Sequence, residues 1–143
     1  MNKLVEQLTG AINYAISIRP KVGGFPVLAE VLRQAGVEHN IWHLPSCQSV
    51  YQMKNGNVVT QGTPLVSGSH EIPQFNKEAL IKALRKDQAG EGSFPEFLKS
   101  TWEAGVISYD VDTANTKVTY YGARGESYVE DYPRAEIKPN SVS

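Results

Sequence analysis

Apolar residues recur along this chain with two periods that alternate. Over residues 3–18, Leu4, Leu8, Ala11, Ile12, Ala15 and Ile16 step by three and four, the spacing of one helix face. Pro20 and the Gly23-Gly24 pair end that run. Phe25, Leu28, Val31, Leu32 and Ala35 make a second stripe over residues 25–35. Pro26 sits in its first turn, where a missing N–H costs nothing, and Gly36 supplies a left-handed stop. The period then drops to two. Residues 37–44, 48–53 and 58–61 read as strands, separated by Pro45-Ser46 and by the hairpin signal Lys54-Asn55-Gly56-Asn57. Residues 65–74 read as a linker, in which Leu65-Val66 and Ile72 offer a short edge strand.

The same order then returns. Asn76 is predicted to cap a helix over 77–86 that buries Leu80, Ile81 and Leu84, followed by a loop at 87–92. Ser93 and Glu96 form a capping-box pattern for a further helix, with Phe94, Phe97, Leu98 and Trp102 on its apolar face and Gly105 as its stop. Strands are predicted over 106–111, 117–121 and 126–132, with turns at 112–115 and 122–125. At one constant offset, Phe25-Pro26 falls on Phe94-Pro95, Ala35-Gly36-Val37 on Ala104-Gly105-Val106, Tyr51 on Tyr120, Gly56 on Gly125 and Pro64 on Pro133.

The expectation is an α+β fold over residues 1–143 as a single domain. Two tandem helix-helix-three-strand repeats, 6–64 and 75–133, pack around antiparallel sheet, with 65–74 as linker and 134–143 as a loose tail. The two meanders join edge to edge in one sheet or form two sheets about a pseudo-two-fold. The joined sheet is preferred because it hides two edges.

Composition narrows the partners. The chain is 41% hydrophobic and 20% charged with a formal net charge of −1, so no basic excess exists to neutralise a phosphate backbone, and nucleic acid is not an expected partner. Glu6 and Gln7 interrupt the first apolar run, unlike a signal peptide, and no stretch approaches a transmembrane length. With Cys47 as the sole cysteine, no internal disulfide forms, and the expected location is cytoplasmic.

Candidate chemistry is sparse. His39, His43, Cys47 and His70 form a set suited to zinc by residue type. Its spacing is poor: His39 and His43 lie four apart on a strand, about 13 Å along it. Cys47 has no nucleophile signature, and Ser67-Gly68-Ser69 lacks a nucleophile elbow. Asp110 and Asp112 share the face opposite Ile107, Tyr109 and Val111, a solvated position. Aromatic residues stand out more. Trp102, Tyr109, Tyr120 and Tyr128, with Trp42 and Tyr51 in related places of the first repeat, either pack across strands or line a binding surface. The favoured reading is a non-catalytic binding module for a small molecule or protein, using a groove between the repeats and no cofactor. A metal-dependent enzyme using the His/Cys set and a structural component of a larger assembly, with a homodimer among its forms, are the alternatives.

The helix ending in Ala104-Gly105-Val106, the strand Tyr109-Asp110-Val111-Asp112 and the segment Val118-Thr119-Tyr120-Tyr121-Gly122 carry a resemblance. This stretch resembles a family of small uncharacterised bacterial proteins often labelled "phage envelope protein" or domain of unknown function. The resemblance implies a bacterial or prophage-borne soluble protein and brings no catalytic residues with it.

Overall fold

The structure is a computed structural model and describes residues 3–137. Among these residues it has four helices and six strands: α1 Lys3–Ile18, α2 Gly24–Gln34, β1 Val37–His43, β2 Gln48–Met53, β3 Gly56–Gln61, α3 Lys77–Gln88, α4 Phe94–Glu103, β4 Val106–Asp112, β5 Lys117–Gly122 and β6 Ser127–Asp131. The strands form one antiparallel sheet in the order β3-β2-β1-β4-β5-β6. The fold is α+β, and its layout runs helix-helix-three strands twice.

Local chemistry explains most boundaries. Asn76 caps α3 by accepting the Ala79 N–H at 3.0 Å. Ser93 caps α4 by accepting the Glu96 N–H at 3.3 Å and donates its hydroxyl to the Glu96 carboxylate at 3.2 Å, so the two residues of the capping-box pattern meet through their side chains. Helix α3 runs two residues past its expected end, to Gln88, before Gly90 turns with positive φ. The short edge strand expected at Leu65-Val66 and Ile72 is absent among the described residues, because 62–76 runs as irregular chain.

The central pairing joins the halves. In β1–β4, His39 faces Asp112, Ile41 faces Asp110 and His43 faces Ser108. Ile41 and Asp110 are also counterparts at the constant sequence offset, as are His39 and Ser108, and His43 and Asp112. Exchanging the halves therefore maps this register onto itself, and a pseudo-two-fold passes between Ile41 and Asp110. Both β1 and β4 carry an irregularity at matching places, Val37/His39 and Val106/Ser108, which turns Val37 and Val106 into the core. The match stops at the outer hairpins. The last strand is shifted by one residue, because β2–β3 closes at Met53–Gly56 while β5–β6 needs Glu126 to bond Gly122.

One row of paired side chains crosses the inner face as Val58, Tyr51, Asn40, Val111, Val118 and Glu130. All helices pack on this side. Leu8 and Leu32 cover Val37, Tyr51, Met53 and Val58, while Leu80, Leu84, Leu98 and Trp102 cover Val106, Tyr109, Val111, Val118 and Tyr120. Ile16, expected in the α1 stripe, is 53% exposed. The opposite row runs Val59, Val50, Ile41, Asp110, Thr119 and Val129, and both of its ends are exposed.

Gly36 and Gly105 are counterparts after α2 and α4, and both have positive φ. Their surroundings differ. A Cβ on Gly105 would lie 2.5 Å from the Phe75 Cα, whereas one on Gly36 would meet only the Gln7 side chain at 3.9 Å. Gly36→Ala should thus cost only backbone strain, about 1–2 kcal/mol. Gly105→Ala should cost at least about 2 kcal/mol more, because backbone must move. Urea denaturation of both variants checks the difference.

Candidate ligand cleft

The helix α2 carries a carboxylate where its apolar face meets the sheet. Glu30 is 5% exposed, yet Ala29, Val31 and Leu32 beside it are equally buried. Its oxygens are filled by Arg33 Nε at 2.8 Å, a second Arg33 nitrogen at 2.6 Å, Gln34 Nε2 at 3.0 Å and Arg134 at 3.1 Å. The Glu30-Arg33-Gln34 spacing puts all three on one side of the helix. The Arg33 hydrogen bond, helped by Gln34 and Arg134 and opposed by burial, holds the Glu30 carboxyl down at about 2 against an ordinary 4.5. Arg134 also donates to the Ala114 carbonyl at 2.8 Å, so it ties the chain after β6 to α2 and to the β4–β5 turn. Gln34 Nε2 reaches the Ile137 carbonyl at 3.1 Å. Residues 134–137 of the expected loose tail are therefore fastened, and 138–143 lie outside the described residues.

Beside this cluster opens a cleft of about 490 Å³. Leu4 gives it an apolar edge, with the nearly buried Val37 and Met53 behind it; Arg33, Lys54 and Arg134 supply positive charge and Glu38 a negative one. Gln7, Gln34 and Asn55 add amides. Both halves contribute, since Thr113, Ala114 and Arg134 come from the second. Arg33 and Arg134 line the cleft and remain about 40% exposed although Glu30 holds them. The volume falls within the range of small-molecule sites.

At the matching place of the second half stands Phe75. It fills the space: a Cβ on Gly105 or Gly122 would strike it at 2.5 or 2.9 Å. Gly122 is the counterpart of Met53, and Gly105 of Gly36. The Asn76 N–H bonds the Ala104 carbonyl at 2.8 Å and fixes Phe75 there.

The residues singled out from sequence lie elsewhere. Trp102, Tyr51, Tyr109 and Tyr120 are buried, and Trp42 and Tyr128 are half-buried. Tyr109 packs on Tyr120 with ring centroids 5.4 Å apart and stacks on Trp42 at 6.3 Å. Burial pushes the Tyr109 and Tyr120 hydroxyls well up. Lys77 sits over the Tyr128 ring at 5.4 Å. None of these six lines the cleft. The His/Cys set is scattered. His39 pairs with Asp110 at 3.0 Å, His43 is exposed on β1, and His70 Nε2 donates to the Ser67 carbonyl at 2.6 Å. Cys47 is buried in the core, and desolvation pushes its thiol up, away from thiolate chemistry. Among the described residues, no three His, Cys, Asp or Glu side chains gather as metal ligands, so the metal-enzyme alternative loses its ligand set. Likewise, among the described residues no helix is long and apolar enough to cross a membrane.

Sequence comparison adds a family. Residues 16–131 match the model described as "Protein of unknown function (DUF1398)". The chain belongs to this family. Two similar proteins are Uncharacterized protein Rv2012 of Mycobacterium tuberculosis and Uncharacterized protein Mb2035 of Mycobacterium bovis. Each is 47% identical over 136 residues, covering 95% of this chain and 83% of the relative. Neither name carries the phage-envelope label, and the family description assigns no activity.

The Glu30 cluster makes a testable link between pH and stability. Its carboxyl is held below its ordinary value, so its stabilisation is complete above pH 4.5 and is lost as pH falls from there toward about 2. With both arginine partners partly exposed, the span is worth on the order of 2–3 kcal/mol. Acid unfolding of Glu30→Gln should show a correspondingly flatter stability profile between pH 4.5 and 2 than wild type.

Proposed function

We propose that this DUF1398 member is a non-catalytic binding protein for a small organic anion, held in the cleft at the seam of its halves. The reading treats the chain as one domain made of two copies of an older unit. A single contrast carries it: the space that Phe75 plugs in the second half stays open in the first. A fold kept only for packing gains from filling both places, since an unfilled apolar wall forfeits contacts. In the first half, the matching chain positions belong to α1, which runs past the opening and leaves Leu4 at its edge.

The lining defines the ligand class. Leu4, backed by Val37 and Met53, would accept an apolar body, as the Phe75 ring lies against Gly122 in the other half. Lys54, with the outer groups of Arg33 and Arg134, would take a carboxylate or similar anion. No nucleophile with an adjacent base lines the cleft among the described residues, so the arrangement favours binding over turnover.

Calorimetric titration with three probes tests this reading. Phenylacetate should bind more tightly than acetate, which lacks the apolar body, and than benzyl alcohol, which lacks the charge. Lys54→Ala should weaken phenylacetate about five- to tenfold, as for loss of one charge-assisted contact. Equal binding of the three probes, or none at millimolar concentration, would overturn the assignment of ligand class.

A further inference from the structure

The two edges of the sheet are not alike. The edge strand β6 is guarded by acids: Glu126 precedes it, Glu130 and Asp131 lie on it and Pro133 follows. Arg85 and Gln88 of α3 also reach across to the Glu130 carboxylate. Charges and proline are the usual means by which an edge is kept from pairing with another chain. The edge strand β3 is also followed by a proline, Pro64, but it has no acid on the strand and no helix side chain reaching across to one. Its sequence, Gly56-Asn57-Val58-Val59-Thr60-Gln61, is uncharged, and Val59 at its middle is 61% exposed.

This strand is also complementary to itself. Laid antiparallel against a second β3 and centred on Val59, it sets Val59 beside Val59, Val58 beside Thr60 and Asn57 beside Gln61. The first pair removes two exposed valines from water at a cross-strand distance of about 5 Å. The third joins two amides on each side of the axis. Gln61 already donates its Nε2 to the Ser46 carbonyl at 2.8 Å and to Gly62 at 2.9 Å, which leaves its own carbonyl free to accept from Asn57 of the other copy. A β6 edge treated the same way about Val129 would set Tyr128 beside Glu130 and Ser127 beside Asp131, bringing four carboxylates together on the two strands and the two Glu126 side chains to their ends.

We propose that β3 is a self-association edge: two copies pair β3 to β3 across a two-fold axis and join their sheets into one. The same strand-to-strand geometry already holds the two halves of each chain together at β1–β4. One strand pair buries less than a standard interface, so the dimer is sought at micromolar and higher concentration.

Sedimentation velocity from about 10 to 300 μM, a span suited to such an interface, tests the proposal. Wild type should pass from monomer to dimer within it. Val59→Lys and Asn57→Lys, both at exposed positions, should each weaken the dimer at least tenfold with unchanged circular dichroism. Val129→Lys, at the opposite end of the same row, should leave it intact. A wild type that stays monomeric throughout overturns the proposal. So does a dimer that survives both β3 substitutions, or one that Val129→Lys disrupts as strongly.

Discussion

The rest of this fold depends on the antiparallel pairing of β1 with β4. A three-stranded meander with two helices is a marginal unit, because each of its edges and much of its apolar face stay wet. Joining two such units removes one edge from each and lets one helical layer cover a continuous inner face. The register is fixed by its own symmetry: Ile41 and Asp110 face each other and are sequence counterparts, so a slip by one residue would bury the wrong side of both halves at once. Thr113 reinforces the join from outside the strands, donating its hydroxyl to the Val37 carbonyl at 2.7 Å.

Symmetry of backbone leaves room for asymmetry of side chains. At the seam, Asn40 occupies the inner place that Tyr109 holds in the other half. Its amide is fully used, donating to Ser49 at 2.8 Å and accepting from the Trp42 indole at 3.0 Å. The Tyr109 side of the seam is instead an aromatic stack running through Trp42, Tyr120 and Phe97. The plugged and open spaces at Phe75 and at the cleft extend this division. One half is closed by rings, and the other is finished by polar groups and ions.

Much of the architecture was legible in the chain. The change of period from three-and-four to two marks every helix-to-strand passage, and Gly36 and Gly105 stand where those passages need positive φ. The constant offset also anticipated the joined sheet, since equal units expose equal edges. The cleft was not legible. Its anchoring contact, Arg134 to Glu30, spans 104 positions, and nothing local marks Arg134 as different from any other surface arginine. Glu30 left a weaker trace: a carboxylate among buried neighbours, with Arg33 and Gln34 at helical spacing, asks for a reason. Aromatic residues drew attention because they are large and rare. Alternation along β4 and β5 places Tyr109 and Tyr120 on the same side as Val111 and Val118, which is the core.

The central claim is that the opening at the seam is a site and not merely an unfilled corner. The most direct measurement is a nitrogen-resolved NMR titration of the whole protein with phenylacetate, read at side-chain amides. Gln7, Gln34 and Asn55 line the cleft, while Asn40 is sealed in the core and serves as the internal control. Saturable shifts are expected at the three cleft amides and at backbone groups of Gly36 and Lys54, with Asn40 still. Shifts gathered around Tyr128 or along the exposed sheet row, with the cleft amides unmoved, would contradict it.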